Sequence, residues 1–339
     1  MRKVDISMVV AFLDLLGFSS LIKRDSVAAR DQLDMFHNIL RTRFFDEKTH
    51  PIEEHSDEHG LRQFAENNAV TSFSHLISFS DSLVIGSEQP DLFVRQISNF
   101  VYTAFMSCAE DFNEPIINMD TLKSKSRMTV ALNNEYEATY IQHGTAPLLF
   151  RGGITAGTEV FFNREGRIWN GELSYQAVNV SGLDYIRAYK LEATGAGPRL
   201  FCDKKFLNEL TDDTKKAVRY VKDDIYEIVW TYFGCEAGSK SSNPVENAMN
   251  QINRRILPPA LHLYDYYSKA DNESGQSSDR VKAHYQAFVE LICCGIYKYI
   301  HDNGCEKNCV LTAINKHLEQ HHFGWIVSDR ELDKFCIKF

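Results

Sequence analysis

The chain lacks a long hydrophobic run and lacks an excess of positive charge. Its 339 residues contain no apolar stretch of about 18 or more residues, which excludes a conventional transmembrane helix. The opening segment Met1–Asp5 leads directly into a strand-like pattern without the apolar region of a signal peptide, so we expect a cytoplasmic protein. The formal net charge of −9 argues against a nucleic-acid partner, because such binding needs a basic surface. The sequence also lacks internal repeats and low-complexity tracts.

The hydrophobic content of 44% is enough for a full core, in one large domain with an extension. Six of the eight cysteines lie mostly in apolar contexts, which in a cytoplasmic chain indicates small buried side chains. Cys305 and Cys309 have four histidines nearby (His301, His317, His321 and His322), but their spacing fits no standard zinc motif. A histidine-rich segment, with His50, His55 and His59, is more typical of a solvated insertion than of a metal site.

Two aspartates interrupt apolar, strand-like segments. Asp14 lies in VVAFLDLLGFSS (Val9–Ser20), and Asp81 lies in HLISFSDSLVIGS (His75–Ser87). An ionised carboxylate in such a setting is unfavourable unless a cation or hydrogen bonds compensate it. The pair therefore predicts a metal site. The alternative for each aspartate alone is an ordinary turn residue.

The residues around these aspartates suit a nucleotide. Val9–Leu16 reads as a buried strand, and the turn Gly17-Phe18-Ser19-Ser20 towards a helix places N–H groups and two hydroxyls beside Asp14. Ser72–Ile77 and Ser82–Gly86 form the arms of a predicted hairpin with Asp81 near its tip. Two carboxylates beside hydrogen-bond donors that can bind a phosphate are typical of a Mg²⁺ or Mn²⁺ nucleotide site.

Four landmarks in order resemble the class III nucleotidyl cyclases, and most closely the pyrimidine nucleotide cyclases of bacterial Pycsar antiphage systems. They are the FLDLLGF run, the FSDS hairpin, LLFRGGITAG (Leu148–Gly157) and GLDYIRAYKLE (Gly182–Glu192), and the resemblance spans roughly residues 5–205.

The resemblance implies an α+β fold with a ferredoxin-like βαββαβ core, in which helices pack on an antiparallel-rich sheet. It also implies a homodimer with shared sites, in which Asp14, Asp81 and the carbonyl of Leu15 hold two Mg²⁺ or Mn²⁺ ions. Substrate contacts are expected from a set of eight residues: Leu15, Leu16, Gly17, Phe18, Ser19, Arg151, Asn179 and Arg187.

Several positions depart from ordinary adenylate and guanylate cyclases. Ile186 stands where those enzymes carry a ribose-orienting asparagine, and Lys190 stands where they carry the arginine that stabilises the transition state. Ile77 replaces a purine-reading lysine, and Asn179 replaces a base-contacting aspartate. An aliphatic side chain cannot donate a hydrogen bond to a purine edge, so a different base is expected.

The resemblance therefore implies an enzyme that converts UTP into 3′,5′-cyclic UMP and pyrophosphate, as a messenger for a separate effector in defence against phage. UTP is favoured over CTP because uridylate production is the commoner activity in that family. Three alternatives stay open: a cytidylate cyclase, a conventional adenylate or guanylate cyclase, and a catalytically dead cyclase-like domain that binds a nucleotide or partner.

Three basic side chains have open interpretations. Arg151 suits a phosphate, but an arginine on a strand can equally pair with a carboxylate. Arg187 and Lys190 are three residues apart and could face an anion together, although such pairs usually form a solvated basic surface.

Periodicity and composition predict the remaining elements. They are helices over Ser26–Phe45, Asp91–Phe112 and Ser174–Thr194, strands over Met128–Leu132, Leu148–Ile154 and Arg199–Cys202, a hairpin arm over Glu159–Glu172 with its tip at 163–166, and a β-prone segment over Tyr220–Phe233.

The polar segment Gly234–Asn243 predicts a boundary between a cyclase-like domain (1–235) and a helical C-terminal extension (236–339). In the extension we expect helices over Pro244–Ala270, Asp279–Asp302 and Lys307–Phe323, with an interruption at Pro258-Pro259 and a polar linker over Asp271–Ser278.

Overall fold

The structure of the protein is a computed structural model. The structure describes residues 7–40, 72–116, 131–132, 138–139, 147–169, 172–236, 242–274 and 279–324. The histidine-rich segment with His50, His55 and His59 lies outside these residues, as does the start of the expected strand Met128–Leu132.

The first half of the described chain alternates strands and helices. Its elements are β1 (Met8–Leu15), α1 (Phe18–Arg24), α2 (Ser26–Leu40), β2 (Phe73–Phe79), β3 (Ser82–Ser87), α3 (Pro90–Ala109) with a 3₁₀ turn at Glu110–Phe112, the two-residue strands β4 (Ala131–Leu132) and β5 (Ala138–Thr139), β6 (Phe150–Gly157), β7 (Phe161–Trp169), β8 (Glu172–Ser181) and α4 (Leu183–Glu192).

The second half adds three strands and a mainly helical C-terminal region. Its elements are β9 (Leu200–Asp203), α5 (Lys204–Asn208), α6 (Asp212–Lys215), β10 (Val218–Lys222), β11 (Ile225–Ile228), α7 (Trp230–Gly234), α8 (Pro244–Asn253), α9 (Leu257–Ser274), α10 (Asp279–Asp302) and α11 (Asn308–Gln320). No helix of the described residues is both long and apolar enough to span a bilayer.

Seven strands form one sheet in the order β10-β11-β9-β6-β1-β3-β2. β1 pairs antiparallel with both β3 and β6, and β3 pairs antiparallel with β2. In chain order these strands and their helices read β1, α1–α2, β2, β3, α3, β6, which is a βαββαβ unit. The expected ferredoxin-like core is therefore confirmed by topology, and β9 extends it by pairing parallel to β6.

β1 is buried on both faces, which explains its nearly continuous apolar sequence. The alternate residues Val9, Ala11, Leu13 and Leu15 belong to the main core, together with side chains of α2, α3 and the C-terminal helices. Val10 and Phe12 point to the other face and pack with Val84 and with Ala188 of α4. Asp14 follows Val10 and Phe12 at strand spacing, so its carboxylate faces the same side of the sheet, which carries α4.

The helical C-terminal region packs on the sheet domain through α7. The Thr231 hydroxyl donates a 2.8 Å hydrogen bond to the Leu291 carbonyl of α10, and the Gln251 amide of α8 donates to the Gly234 carbonyl. One apolar cluster includes residues from β1 to Phe323. The expected helical extension is thus present, whereas a domain boundary at 235/236 stays a prediction.

Two expectations about 159–194 are wrong. The β7–β8 hairpin does not turn at 163–166, because Gly166 pairs with Gln176 and the strands stay paired up to Trp169 and Glu172. The helix begins at Leu183, not at Ser174, so Asn179 lies on β8. The break is set by Gly182, whose φ of +117° suits glycine and whose added Cβ would lie 2.0 Å from the Glu159 carbonyl oxygen.

Two further expectations need correction. The β-prone segment Tyr220–Phe233 contains β11 but ends in the helix α7. Pro258 and Pro259 do not interrupt a helix; they occupy the first turn of α9, where a proline loses no intrahelical hydrogen bond. The actual break falls between Asn253 and Leu257, and α9 continues to Ser274 through part of the expected linker.

Gly153 fixes how closely α4 approaches the sheet. A Cβ at this position would lie 2.0 Å from the Ala188 carbonyl oxygen and 2.6 Å from Cβ of Leu191. We expect Gly153→Ala to lower the free energy of unfolding by about 1–3 kcal/mol, because a backbone contact cannot yield as a side chain can. The measurement is urea denaturation.

The matched control is Gly324→Ala, since an added Cβ at Gly324 meets nothing within 4 Å. This variant should stay within about 0.5 kcal/mol of the wild-type protein. Equal denaturation midpoints for Gly153→Ala and the control would contradict the close approach.

Candidate active site

Asp14 lies near the end of β1, between the neighbouring strands. In the sheet register it is opposite Ser82 of β3 on one side and Arg151 of β6 on the other. The Ser82 hydroxyl donates a 3.1 Å hydrogen bond to Oδ1 of Asp14, and Nη2 of Arg151 donates a 3.1 Å bond to Oδ2. Both carboxylate oxygens are therefore held by residues of the adjacent strands.

Asp81 lies in the two-residue turn between β2 and β3, as the sequence predicts. Phe79 pairs with Ser82 across this turn, and Ser80 takes a left-handed φ of 55°. The Leu15 amide donates a 3.0 Å hydrogen bond to the Asp81 carbonyl oxygen. This bond ties the turn to the end of β1 and brings the two aspartates together.

Arg151 is shared by two carboxylates. Besides its hydrogen bonds to Asp14, its Nε forms an ion pair with Glu192, the last residue of α4. The side chains of Asp14 and Arg151 are about three-quarters or more buried, and Glu192 is 8% exposed. Of the two interpretations left open for Arg151, the structure thus displays the carboxylate pair.

The cluster carries excess negative charge. Burial raises the pKa of Asp14, the Arg151 guanidinium acts against that shift, and the Asp81 carboxylate adds to it. Burial likewise raises the pKa of Glu192, with Arg151 opposing the shift and Asp14 reinforcing it. Two carboxylates thus share one guanidinium, with the Asp81 carboxylate near Asp14, and an added cation would stabilise the ionised forms.

This donor set fits Mg²⁺ or Mn²⁺ bound together with a phosphate. Mg²⁺ commonly uses one or two protein carboxylates and completes its shell with water and substrate phosphates.

Within the part of the chain that the structure describes, no three His, Cys, Asp or Glu side chains are arranged to hold a metal by themselves. That includes the neighbourhood of Cys305 and Cys309, where Cys309 is exposed.

The turn after β1 presents backbone N–H groups. Gly17 has a φ of +84°, and its carbonyl accepts from the amides of Ser20 and Leu21 at the start of α1. The amides of Leu15 and Leu16 are already used by the carbonyls of Asp81 and Leu149. Among the described backbone hydrogen bonds, none uses the amides of the next three residues, which are Gly17, Phe18 and Ser19. Those three are the groups able to receive a phosphate.

An aromatic cluster covers the sheet beside Asp14. The Phe12 ring, two residues earlier on β1, has its centroid 5.1 Å from that of Tyr189 and 6.4 Å from that of Phe79. Ile77 of β2 pairs with Val84, which pairs with Phe12, so all three share one sheet face. Ile77 therefore lies on the same face as Asp14 and packs with the cluster.

The other predicted site residues lie apart from the aspartates. The Arg187 guanidinium donates a 2.6 Å bond to the fully buried Asp184, which also accepts from the Glu159 amide. Lys190 and Asn179 are exposed, on α4 and β8 respectively. Among the described contacts, neither makes a hydrogen bond or ion pair with Asp14 or Asp81 in the same chain.

Sequence reasoning missed Ser82, Asp184 and Glu192. Each lies inside one of the four landmarks that carry the cyclase resemblance. A polar residue in a segment that is otherwise apolar is the signal that could have identified it. Asp184 and Glu192 both fall on the apolar side of α4, where an unpaired carboxylate is unfavourable. Their partners come from distant parts of the chain, which a single sequence does not identify.

No protein-family model matches the chain, and no curated protein matches it. Solved structures that are similar to it include adenylate cyclases from Trypanosoma brucei in their monomeric state, at 12% identity and a TM-score of 0.39 over 68% of this chain and 92% of the other. The guanylyl cyclase Cya2 aligns at 15% identity and a TM-score of 0.37, over 66% and 91%. The adenylyl cyclase CyaB from P. aeruginosa aligns at 13% and 0.34, over 66% and 93%. TM-scores below 0.5 do not establish a common fold.

Removal of Arg151 should destabilise the protein in the absence of metal. Arg151→Gln leaves Asp14 and Glu192 partly buried without their shared cation, so we expect a loss of about 2 kcal/mol in the free energy of unfolding. Urea denaturation in a chelating buffer measures it. The control is Arg30→Gln, because the Arg30 side chain is 71% exposed and 3.9 Å from Asp31. A loss no larger than that of the control would contradict the role of Arg151.

Proposed function

We propose that the protein is a nucleotidyl cyclase that acts on a pyrimidine nucleoside triphosphate, with UTP favoured over CTP. The observation that carries this proposal is the pairing of Asp14 with Asp81 at the end of β1. Their partly buried, surplus negative charge lies beside the unpaired amides of Gly17, Phe18 and Ser19. A site with these two properties suits a metal-bound triphosphate.

The carboxylates of Asp14 and Asp81, with the Leu15 carbonyl, are the groups that would hold two Mg²⁺ or Mn²⁺ ions. Such ions activate a hydroxyl nucleophile and neutralise a departing pyrophosphate. Arg151 on the neighbouring strand holds the Asp14 carboxylate in place, and Glu192 at the end of α4 pairs with Arg151. The turn amides orient the phosphate chain.

The reaction is an intramolecular phosphoryl transfer. The 3′-oxygen forms a bond to the α-phosphorus and loses its proton to solvent, while the bond from that phosphorus to the bridging β-phosphate oxygen breaks. The products are a 3′,5′-cyclic nucleotide and pyrophosphate. Because no protein nucleophile takes part, positioning and electrostatics supply the acceleration. Lys190 is proposed to stabilise the charge of the transition state.

The pyrimidine assignment rests on Ile77. It faces the same side of the sheet as Asp14, and it stands where a purine-reading lysine is expected from the cyclase resemblance. A hydrocarbon side chain offers no donor or acceptor to a purine edge. UTP is preferred over CTP by resemblance alone, and by the same resemblance the cyclic product acts as an antiphage messenger for a separate effector.

The exposed surface of α4 favours a homodimer with shared sites. Leu183, Ile186 and Tyr189 are each 45–55% exposed, and they lie on the sheet face that carries Asp14. Exposed apolar groups of this kind are typical of a contact surface. In the proposed two-fold dimer, Lys190 and Asn179 of one chain reach the aspartates of the other; among the described contacts, neither makes a hydrogen bond or ion pair with the aspartates of its own chain.

The first experiment incubates the purified protein separately with ATP, GTP, CTP and UTP and with Mn²⁺, followed by mass spectrometry of the products. UTP or CTP should exceed ATP and GTP by at least about tenfold in kcat/KM. Asp14→Asn and Asp81→Asn should each abolish turnover, because a carboxamide is nearly isosteric but does not neutralise a cation. Asp212→Asn is the control, since Asp212 is fully exposed.

The outcomes separate the competing functions. Preferential use of ATP or GTP would indicate a conventional cyclase. Nucleotide binding without any product would indicate a cyclase-like binding domain. Near-normal turnover by Asp14→Asn or Asp81→Asn would contradict the two-metal site.

The shared site is tested by mixing two inactive variants. Asp14→Asn and Lys190→Ala should each be weak or inactive as homodimers. With random pairing about half of the co-expressed dimers are mixed, and each mixed dimer has one intact site, so about a quarter of wild-type activity should return.

The matched control mixes Asp14→Asn with Asp81→Asn. Each change removes one of the two carboxylates that hold the metal, and in the shared-site model both carboxylates of a site come from the same chain. Every mixed dimer therefore has two damaged sites, and no activity should return. With heterodimers verified by two different affinity tags, absence of recovery for Asp14→Asn with Lys190→Ala would place all catalytic groups on one chain.

A further inference from the structure

The start of α10 contacts the turn that follows α4. Nδ1 of His284 accepts a 2.8 Å hydrogen bond from the backbone amide of Gly197, which lies between α4 and β9. Gly197 has a φ of +91°, and an added Cβ there would lie 2.8 Å from Cβ of Ala287 and 3.2 Å from the His284 carbonyl oxygen. The helix therefore lies directly against the backbone of the turn.

This turn joins α4, which carries Glu192, to β9, which pairs with the strand β6 that carries Arg151. Glu192, at its N-terminal side, ends α4 and pairs with Arg151. At its C-terminal side, the Arg199 carbonyl accepts a 2.9 Å bond from the Gly152 amide, next to Arg151 on β6. A displacement of the turn would thus move Glu192 on one side and the backbone next to Arg151 on the other.

Further bonds fix the same turn from the sheet domain. The indole N–H of Trp230 donates a 2.7 Å bond to the Pro198 carbonyl, and the Arg199 guanidinium donates two 2.6 Å bonds to the fully buried Glu227. Of the residues named here that form hydrogen bonds at this turn, His284 is the one that lies on the C-terminal helices. It therefore links those helices to the backbone that leads to Arg151.

The surroundings of His284 favour the neutral imidazole that this bond requires. Its ring is half-buried, and burial together with the charges of Arg151 and Arg280 lowers the pKa of His284 to about 4. The imidazole is therefore neutral near pH 7, and a neutral ring nitrogen can accept from an N–H. The hydrogen bond assigns Nδ1 as the acceptor and leaves the proton on Nε2.

We propose that His284 is a positioning residue, through which α10 holds the turn after α4 and hence the Arg151–Glu192–Asp14 cluster in its active geometry. The proposal rests on the proposed cyclase function. It gives the C-terminal helices a part in the active site: they set the position of the groups that orient Asp14 without contacting substrate themselves.

The test compares His284→Ala and His284→Asn in the full-length protein. Alanine removes the acceptor, whereas the asparagine Oδ1 takes a position close to that of the imidazole Nδ1. We expect His284→Ala to lower kcat by about two- to tenfold, as the loss of one hydrogen bond implies, with KM changed by less than about twofold. His284→Asn should restore most of kcat. His301→Ala, which changes an exposed histidine on the same helix, should behave like the wild-type protein.

Hydrogen exchange supplies a readout that does not depend on turnover. Peptides covering 194–199 and 150–157 should exchange faster in His284→Ala than in the wild-type protein or in His284→Asn. Unchanged kcat and unchanged exchange in His284→Ala would overturn the proposal, as would equal losses in the alanine and asparagine variants.

The design also separates this proposal from the proposed function. Wild-type turnover with an unaffected His284→Ala variant would reject the positioning role alone. If the wild-type protein forms no cyclic nucleotide, the cyclase function fails, and the exchange data then decide whether His284 fixes the turn.

Discussion

The ionic contact of Arg151 with Asp14 and Glu192 is the interaction on which the arrangement of the site depends. Arg151 lies on β6, Asp14 on β1 and Glu192 at the end of α4, so one guanidinium joins three elements that are far apart in sequence. It also compensates charge in a place where burial disfavours ionised carboxylates. The packing of α4 on β6, made possible by Gly153, brings Glu192 within reach of Arg151.

The sheet has two unlike faces. One is covered by α2, α3 and the C-terminal helices, which share a continuous apolar core. The other carries α4 and a small cluster around Phe12, with Phe79, Ile186 and Tyr189 substantially exposed. Asp14 belongs to the second face because it follows Val10 and Phe12 at strand spacing. The charged cluster and the exposed apolar surface therefore lie on the same face of the sheet.

The local patterns in the sequence predicted the centre of the fold well. β1, the β2–β3 hairpin with Asp81 in its turn, and α3 follow from apolar runs and turn residues that act within a few positions. The helix beginning at Leu183 was misplaced, because the decisive contact is between Gly182 and the distant Glu159 carbonyl. The pairing of Arg151 was left open for the same reason: Asp14 and Glu192 become its neighbours only after strands and helix have packed.

The polar segment after Gly234 predicts a boundary, and residues on its two sides contact each other. Leu291 accepts from Thr231, and the Phe288 ring stacks on that of Trp230 with centroids 5.9 Å apart. Trp230 in turn donates to Pro198 in the turn after α4. Residues of α10 thus support that turn both directly, through His284, and indirectly, through Trp230. The C-terminal helices therefore pack against the backbone that leads from Glu192 to Arg199 and contribute to its position.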